Sequence, residues 1–168
     1  ERYGYTSLGQ CALLARRLVE AGSRFIGIDN GSWDTHFSQF PSLKEDLIPS
    51  ADRAFSALIT DLEDRGLADK ILLVCCGEMG RTPRLNKNGG RDHWAKLAPL
   101  MLAGGGLRGG QVLGQSTRDG GEPDTDPLTL KHLVSTILHT VFDVGRLRLE
   151  PGLSQLARLG EHPTLPAS

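Results

Sequence analysis
Apolar residues recur at helical spacing in some stretches of this chain and run unbroken in others, with polar, glycine-rich segments between them. Leu8, Cys11, Ala12, Ala15, Leu18 and Val19 form one stripe, with Arg16, Arg17 and Glu20 on the other side. Ser7 is read as its N-cap and Gly22 as its stop. Residues 24–28, Arg-Phe-Ile-Gly-Ile, predict a strand that ends at the turn signal Asp29-Asn30-Gly31. A second stripe runs through Leu43, Leu47, Ala51, Ala54, Phe55, Leu58, Ile59 and Leu62, opened by Ser42 with Glu45 as a capping box. Pro49 lies inside that pattern and predicts a kink or a split-off first turn.

Residues 70–76 are apolar without alternation, as in a strand covered on both faces. Residues 97–103 read as another strand, and 111–114 as a short one returning from the glycine-rich turn 104–110. The last helix is read from Asp126 as N-cap and Pro127 at its first position, with Leu130, Leu133, Val134, Ile137, Leu138, Val141 and Phe142 inside. His132, Ser135, Thr136 and His139 fall on its other face, read as solvated; the tail after Gly145 reads as turns and loop. Helix, strand, helix, strand, strand, helix predicts an α/β layered fold, in which ligands gather at the carboxyl ends of strands.

Composition narrows this only a little. The length of 168 residues suggests one domain. A net charge of −1 gives no electrostatic argument for nucleic acid or an anionic membrane surface, and no apolar run approaches a bilayer span. The three cysteines read as small buried hydrophobes rather than a disulfide framework. The chain opens at Glu1 without a methionine, so an upstream part of the same protein is expected, and with it any export signal; compartment is left open.

The chemistry-bearing residues gather in two loops that follow apolar runs: Gly31-Ser32-Trp33-Asp34-Thr35-His36, and Gly77-Glu78-Met79-Gly80-Arg81-Thr82-Pro83 running on to Gly90-Arg91-Asp92-His93-Trp94. Carboxylate with imidazole is a normal shell for zinc or manganese. Glu78 follows the most apolar strand, where a carboxylate needs a partner: a cation or Arg81. Asp92 either ligates or orients a histidine. Arg81 and Arg91 either hold an anionic group or pin the loop. The run 103–110 is not a phosphate loop, because no Lys-Ser/Thr follows its glycines and no helix opens there.

At these residues the chain resembles a large bacterial family of unassigned function, whose members carry Gly-Trp-Asp-Thr-His-like, Gly-Glu-Phe/Met-Gly-Arg-Thr-Pro and Gly-Arg-Asp-His-Trp motifs. That family is similar to the alkaline phosphatase and sulfatase superfamily. The resemblance implies a mainly parallel sheet sandwiched by helices, with residues 1–168 as the carboxyl-terminal part of an alkaline-phosphatase-like domain. It implies a binuclear divalent-metal site (zinc, manganese or calcium): Asp34, His36 and His93 in one half, Glu78 in the other, Asp92 beside them, and Arg81 or Arg91 on the substrate. The implied activity is hydrolysis of an anionic small-molecule or glycan ester, phosphate or sulfate, with the nucleophile upstream of Glu1. A metal-containing binding module without turnover, and a metal-free structural domain, are the alternatives.

Overall fold
The structure is a computed structural model that describes residues 1–166. The chain forms two compact units, where its length suggested one domain: Glu1–Leu67 with Arg81–Ala95, and Ala68–Gly80 with the chain from Lys96 onward.

The first unit is built on α1 (Ser7–Glu20) and α3 (Ile48–Asp64), which pack together. Leu8 and Ala12 of α1, with Ala51, Ala54, Ala57, Leu58 and Leu62 of α3, form its core. Small residues on α3 let the two helices approach closely. The N-cap of α1 is Thr6, one residue before the one expected; its hydroxyl accepts from the Gly9 N–H at 3.2 Å. Gly9 is required there, since a Cβ would sit 2.1 Å from the Tyr3 carbonyl oxygen. The second predicted helix starts earlier than expected, as α2 (Gln39–Ser42), and Ser42 is not a cap. A π-helical turn, Leu43–Leu47, joins α2 to α3. Pro49 explains it: proline donates no N–H and its ring crowds the carbonyl four residues back, so the ladder widens just before it.

Arg16, expected on the solvated side of α1, is buried. Its Nε lies 3.0 Å from Oδ2 of buried Asp61, which also accepts from the Tyr3 hydroxyl at 2.8 Å; Oδ1 accepts from Arg65 Nε at 3.1 Å. Burial pushes the Asp61 carboxyl up, but the Tyr3 hydroxyl and the arginines outweigh it and hold it below the ordinary carboxylate range. A depressed carboxyl stabilises the fold above the unfolded pKa, about 3.9, and that contribution is lost as pH falls through the folded value. Asp61→Asn keeps an oxygen for Tyr3 but removes the charge facing the arginines. It should cost about 2 kcal/mol in urea melts at neutral pH, a penalty that shrinks below about pH 4. A penalty independent of pH would show that the charge is not what matters.

In the second unit β1 (Leu72–Cys76) pairs antiparallel with β4 (Leu100–Gly104), in a register from Leu72 opposite Gly104 to Cys76 opposite Leu100. No parallel pair occurs among the described residues, so the mainly parallel sheet expected is not seen. The physical reason is the connection: residues 77–99 contain no crossover helix, which parallel neighbours need. Gly104, at φ +75°, closes the end of β4; a Cβ there would meet the Ile71 carbonyl oxygen at 2.3 Å. β1 is half-buried rather than covered on both faces, Cys11 and Cys76 are exposed, and burial pushes the Cys75 thiol up.

The helix α4 (Leu130–Val141) starts at Thr129, not Asp126, because Thr129 and His132 cap each other reciprocally. Its Ser135–Thr136 face is not solvated. Ser135 is fully buried and donates to the His162 carbonyl at 2.6 Å, and Thr136 accepts from the Leu165 N–H at 2.8 Å. The tail, expected as loop, forms α5 (Val144–Leu147) and α6 (Ser154–Leu159). No described helix is long and apolar enough to cross a membrane.

The predicted strand at 24–28 does not form. Among the described residues it pairs with no strand, and Phe25 is 93% exposed. Backbone groups adopt a strand only against a ladder partner. Residues 111–114 likewise are not a strand, with Val112 exposed.

Candidate metal centre
The site lies wholly within the first unit, where two loop segments are laced together by backbone hydrogen bonds. Short β2 (Gly80–Arg81) pairs with β3 (His93–Trp94), closing the second motif loop on itself. The Thr82 N–H donates to the Asp92 carbonyl at 2.9 Å, and the Asp92 N–H to the Thr82 hydroxyl at 3.1 Å. The Arg91 N–H donates to the Thr35 carbonyl at 3.1 Å, the Gln39 N–H to the Gly89 carbonyl at 3.0 Å, and Phe37 bridges Gly89. Thr35, at the middle of the first motif, is buried, which leaves Asp34 and His36 on either side of it facing outward. Successive i+2 to i hydrogen bonds, from Thr35 to Trp33 and from His36 to Asp34, fold this stretch tightly rather than extending it.

Asp34, His36 and His93 converge although 57 residues separate the histidines. Asp34 Oδ1 lies 3.1 Å from His36 Nε2 and 2.9 Å from His93 Nε2, and the two Nε2 atoms lie 3.3 Å apart. Three ligand atoms bound at 2.0–2.1 Å to one tetrahedral ion would lie about 3.3 Å apart. The observed triangle has nearly that size. All three side chains are reachable from solvent, with His36 at 32% exposure and Asp34 at 60%.

Electrostatics sharpen the picture. The hydrogen bond from His93, then the guanidinium of Arg81, hold the Asp34 carboxyl down to about 2, so it is ionised at any physiological pH. Asp92 stands behind His36, with Oδ1 3.0 Å from Nδ1, and is itself held below the usual carboxylate range by hydrogen bonds from Asn86 and His36. Of the two roles open to Asp92, orientation is the one its position serves. With Nδ1–H donated to Asp92, His36 turns its other nitrogen toward Asp34 and His93. Two bare lone pairs at 3.1 Å repel, so a proton or a cation belongs between His36 Nε2 and Asp34. The arrangement can therefore hold a proton or a divalent metal between these side chains.

The two arginines sit differently, within the roles left open for each. Arg81 pairs with Asp34 Oδ1, and its guanidinium also donates to the Trp33 carbonyl at 3.3 Å and the Arg91 carbonyl at 3.4 Å. Arg91 donates from Nη1 to the Thr82 carbonyl at 2.6 Å and to that of Pro83, and lies over the Phe40 ring, which is a loop-pinning role. Glu78 is exposed in the second unit, in the bend after β1; the metal-competent group found among the described residues comprises Asp34, His36 and His93. Asn86 was not anticipated. It sits at the start of an Asn-Lys-Asn-Gly-Gly run, a turn signal that placed a loop but not a role.

No curated protein and no solved structure matches the chain. A family described as "Protein of unknown function (DUF1501)" matches residues 1–149, and the chain belongs to that family.

Proposed function
We propose that this chain holds a divalent metal through Asp34, His36 and His93, and serves metal-dependent hydrolysis of a phosphate or sulfate ester. The observation that carries the reading is the triangle of one carboxylate oxygen and two imidazole nitrogens with sides of 2.9–3.3 Å. Two nitrogen donors and one oxygen favour zinc or manganese over calcium, which takes oxygen ligands. Three protein ligands leave a position open, as catalytic sites do. When bound, such an ion polarises the ester oxygen and lowers the pKa of a coordinated water.

The chain's own residues have separate tasks. Asp34, His36 and His93 hold the ion, and Asp92 orients His36. Arg81 holds Asp34 in place and brings a positive charge to the edge of the site, where an anionic group would approach. Thr82 Oγ1 is engaged with the Arg84 carbonyl at 2.8 Å and with the Asp92 N–H, so it is a loop hydroxyl rather than a nucleophile. That engagement favours a second reading, a metal-containing binding module without turnover.

The test is titration of the metal-stripped full-length protein with zinc, manganese and calcium by calorimetry, followed by aryl phosphate and aryl sulfate assays of that protein. Binding of one zinc or manganese per chain, and hydrolysis that a chelator abolishes, is the expected result. Binding without turnover of either ester moves the chain to the binding-module reading. Absence of binding ends both, and leaves a hydrogen-bonded structural cluster.

A further inference from the structure
Asn86 uses its whole side chain at one place. Its Oδ1 accepts from the Asn88 N–H at 2.9 Å and the Gly90 N–H at 3.0 Å, which shapes the turn. Its Nδ2 donates to Asp92 Oδ1 at 3.0 Å and to the His36 carbonyl at 3.1 Å. An amide has two donor hydrogens and two acceptor lone pairs, and here each has a partner. The turn alone needs only the oxygen. The nitrogen reaches out of the turn to the carboxylate behind His36 and to the backbone of His36 itself.

Asp92 Oδ1 is thereby fixed between two donors, Asn86 Nδ2 and His36 Nδ1, the latter at 3.0 Å. A carboxylate on an exposed loop would otherwise rotate freely. Fixed in this way, it anchors the His36 ring at Nδ1 and leaves Nε2 as the nitrogen that faces Asp34 and His93. We infer that Asn86 is a positioning residue: acting through Asp92 and the His36 carbonyl, it fixes the ring orientation of His36. The consequence for metal binding rests on the metal-centre reading; the ring orientation does not. Groups that orient a ligating histidine in this way typically change metal affinity 10–100-fold when removed.

The experiment reads the order of the His36 ring directly, from ring-carbon relaxation of the labelled, metal-free 168-residue chain, with the His93 ring as the internal comparison. The wild type should show a rigid His36 ring. Asn86→Ala removes both halves of the amide. Asn86→Ser keeps a hydroxyl that can accept from the turn N–H groups but is too short to reach Asp92. Both variants should show a mobile His36 ring, and zinc affinity should fall about tenfold or more. If the alanine variant does not fold, the serine variant decides, with its melting temperature as the control. A wild type whose His36 ring is already mobile overturns the inference. So does a folded serine variant that keeps a rigid His36 ring and wild-type zinc affinity, because Asn86 would then only shape the turn. If the wild type binds no zinc but the serine variant loosens the His36 ring, the positioning role stands and the proposed function falls.

Discussion
Replacement of His93 by alanine should lower zinc affinity about 100-fold while leaving the fold intact. The size follows from sharing. Structural zinc sites bind with about 10–16 kcal/mol, and about four ligands divide it, so each is worth about 3 kcal/mol, or about two decades in affinity. The fold should survive because His93 is half exposed and its Nε2 faces Asp34 and His36 rather than the core. Its main-chain pairing in β3 does not depend on the imidazole. Three outcomes of the titration separate the readings. Loss of zinc binding with an unchanged melting temperature is the result expected of a ligand. A lowered melting temperature with weak zinc binding in the wild type too would identify His93 as a donor to Asp34 and nothing more. Wild-type affinity in the variant would remove His93 from the site.

The candidate site was legible where chemistry is concentrated in few residue types. Asp34, His36 and His93 stand out in sequence because loops after apolar runs have no structural need for two imidazoles and a carboxylate. Asp92 was legible only as an alternative, since whether it ligates or orients depends on which side of His36 it lies. The roles of Asn86 and Arg81 depend on the path of the loop and could not be read. The helices were legible from their period, and Pro49 foretold the break before α3. Pairing was not legible, because a strand is a relation between distant segments: residues 24–28 have the composition of a strand and no partner among the described residues. Polar faces misled in the same way. Arg16, Ser135 and Thr136 looked solvated, but Asp61 meets the first and the tail from His162 covers the others.

The other large effect concerns a residue with no chemistry. Gly90 is buried in the second motif, and a Cβ built on it would lie 2.0 Å from the His36 carbonyl carbon, 2.1 Å from its oxygen and 2.5 Å from the Phe37 nitrogen. All three are backbone atoms, so no side chain can swing away. The Gly90 φ is not in the left-handed region, and the constraint is therefore proximity rather than backbone strain. Gly90→Ala must push the two loop segments apart, and the bonds that lace them run through its neighbours: Arg91 N–H to the Thr35 carbonyl, and Gln39 N–H to the Gly89 carbonyl. The expected cost is about 3 kcal/mol or more in denaturant melts, the upper range for overpacking, because the strain falls on main chain. Zinc affinity should collapse as well, since His36 rides on one segment and His93 on the other. Gly31→Ala is the matched control: it lies in the first motif, a Cβ there meets nothing within 4 Å, and it should change stability by no more than about 0.5 kcal/mol. Equal stability of the Gly90 and Gly31 variants would mean that the two loops are not in the close register that brings the histidines together, and the metal centre would lose its scaffold.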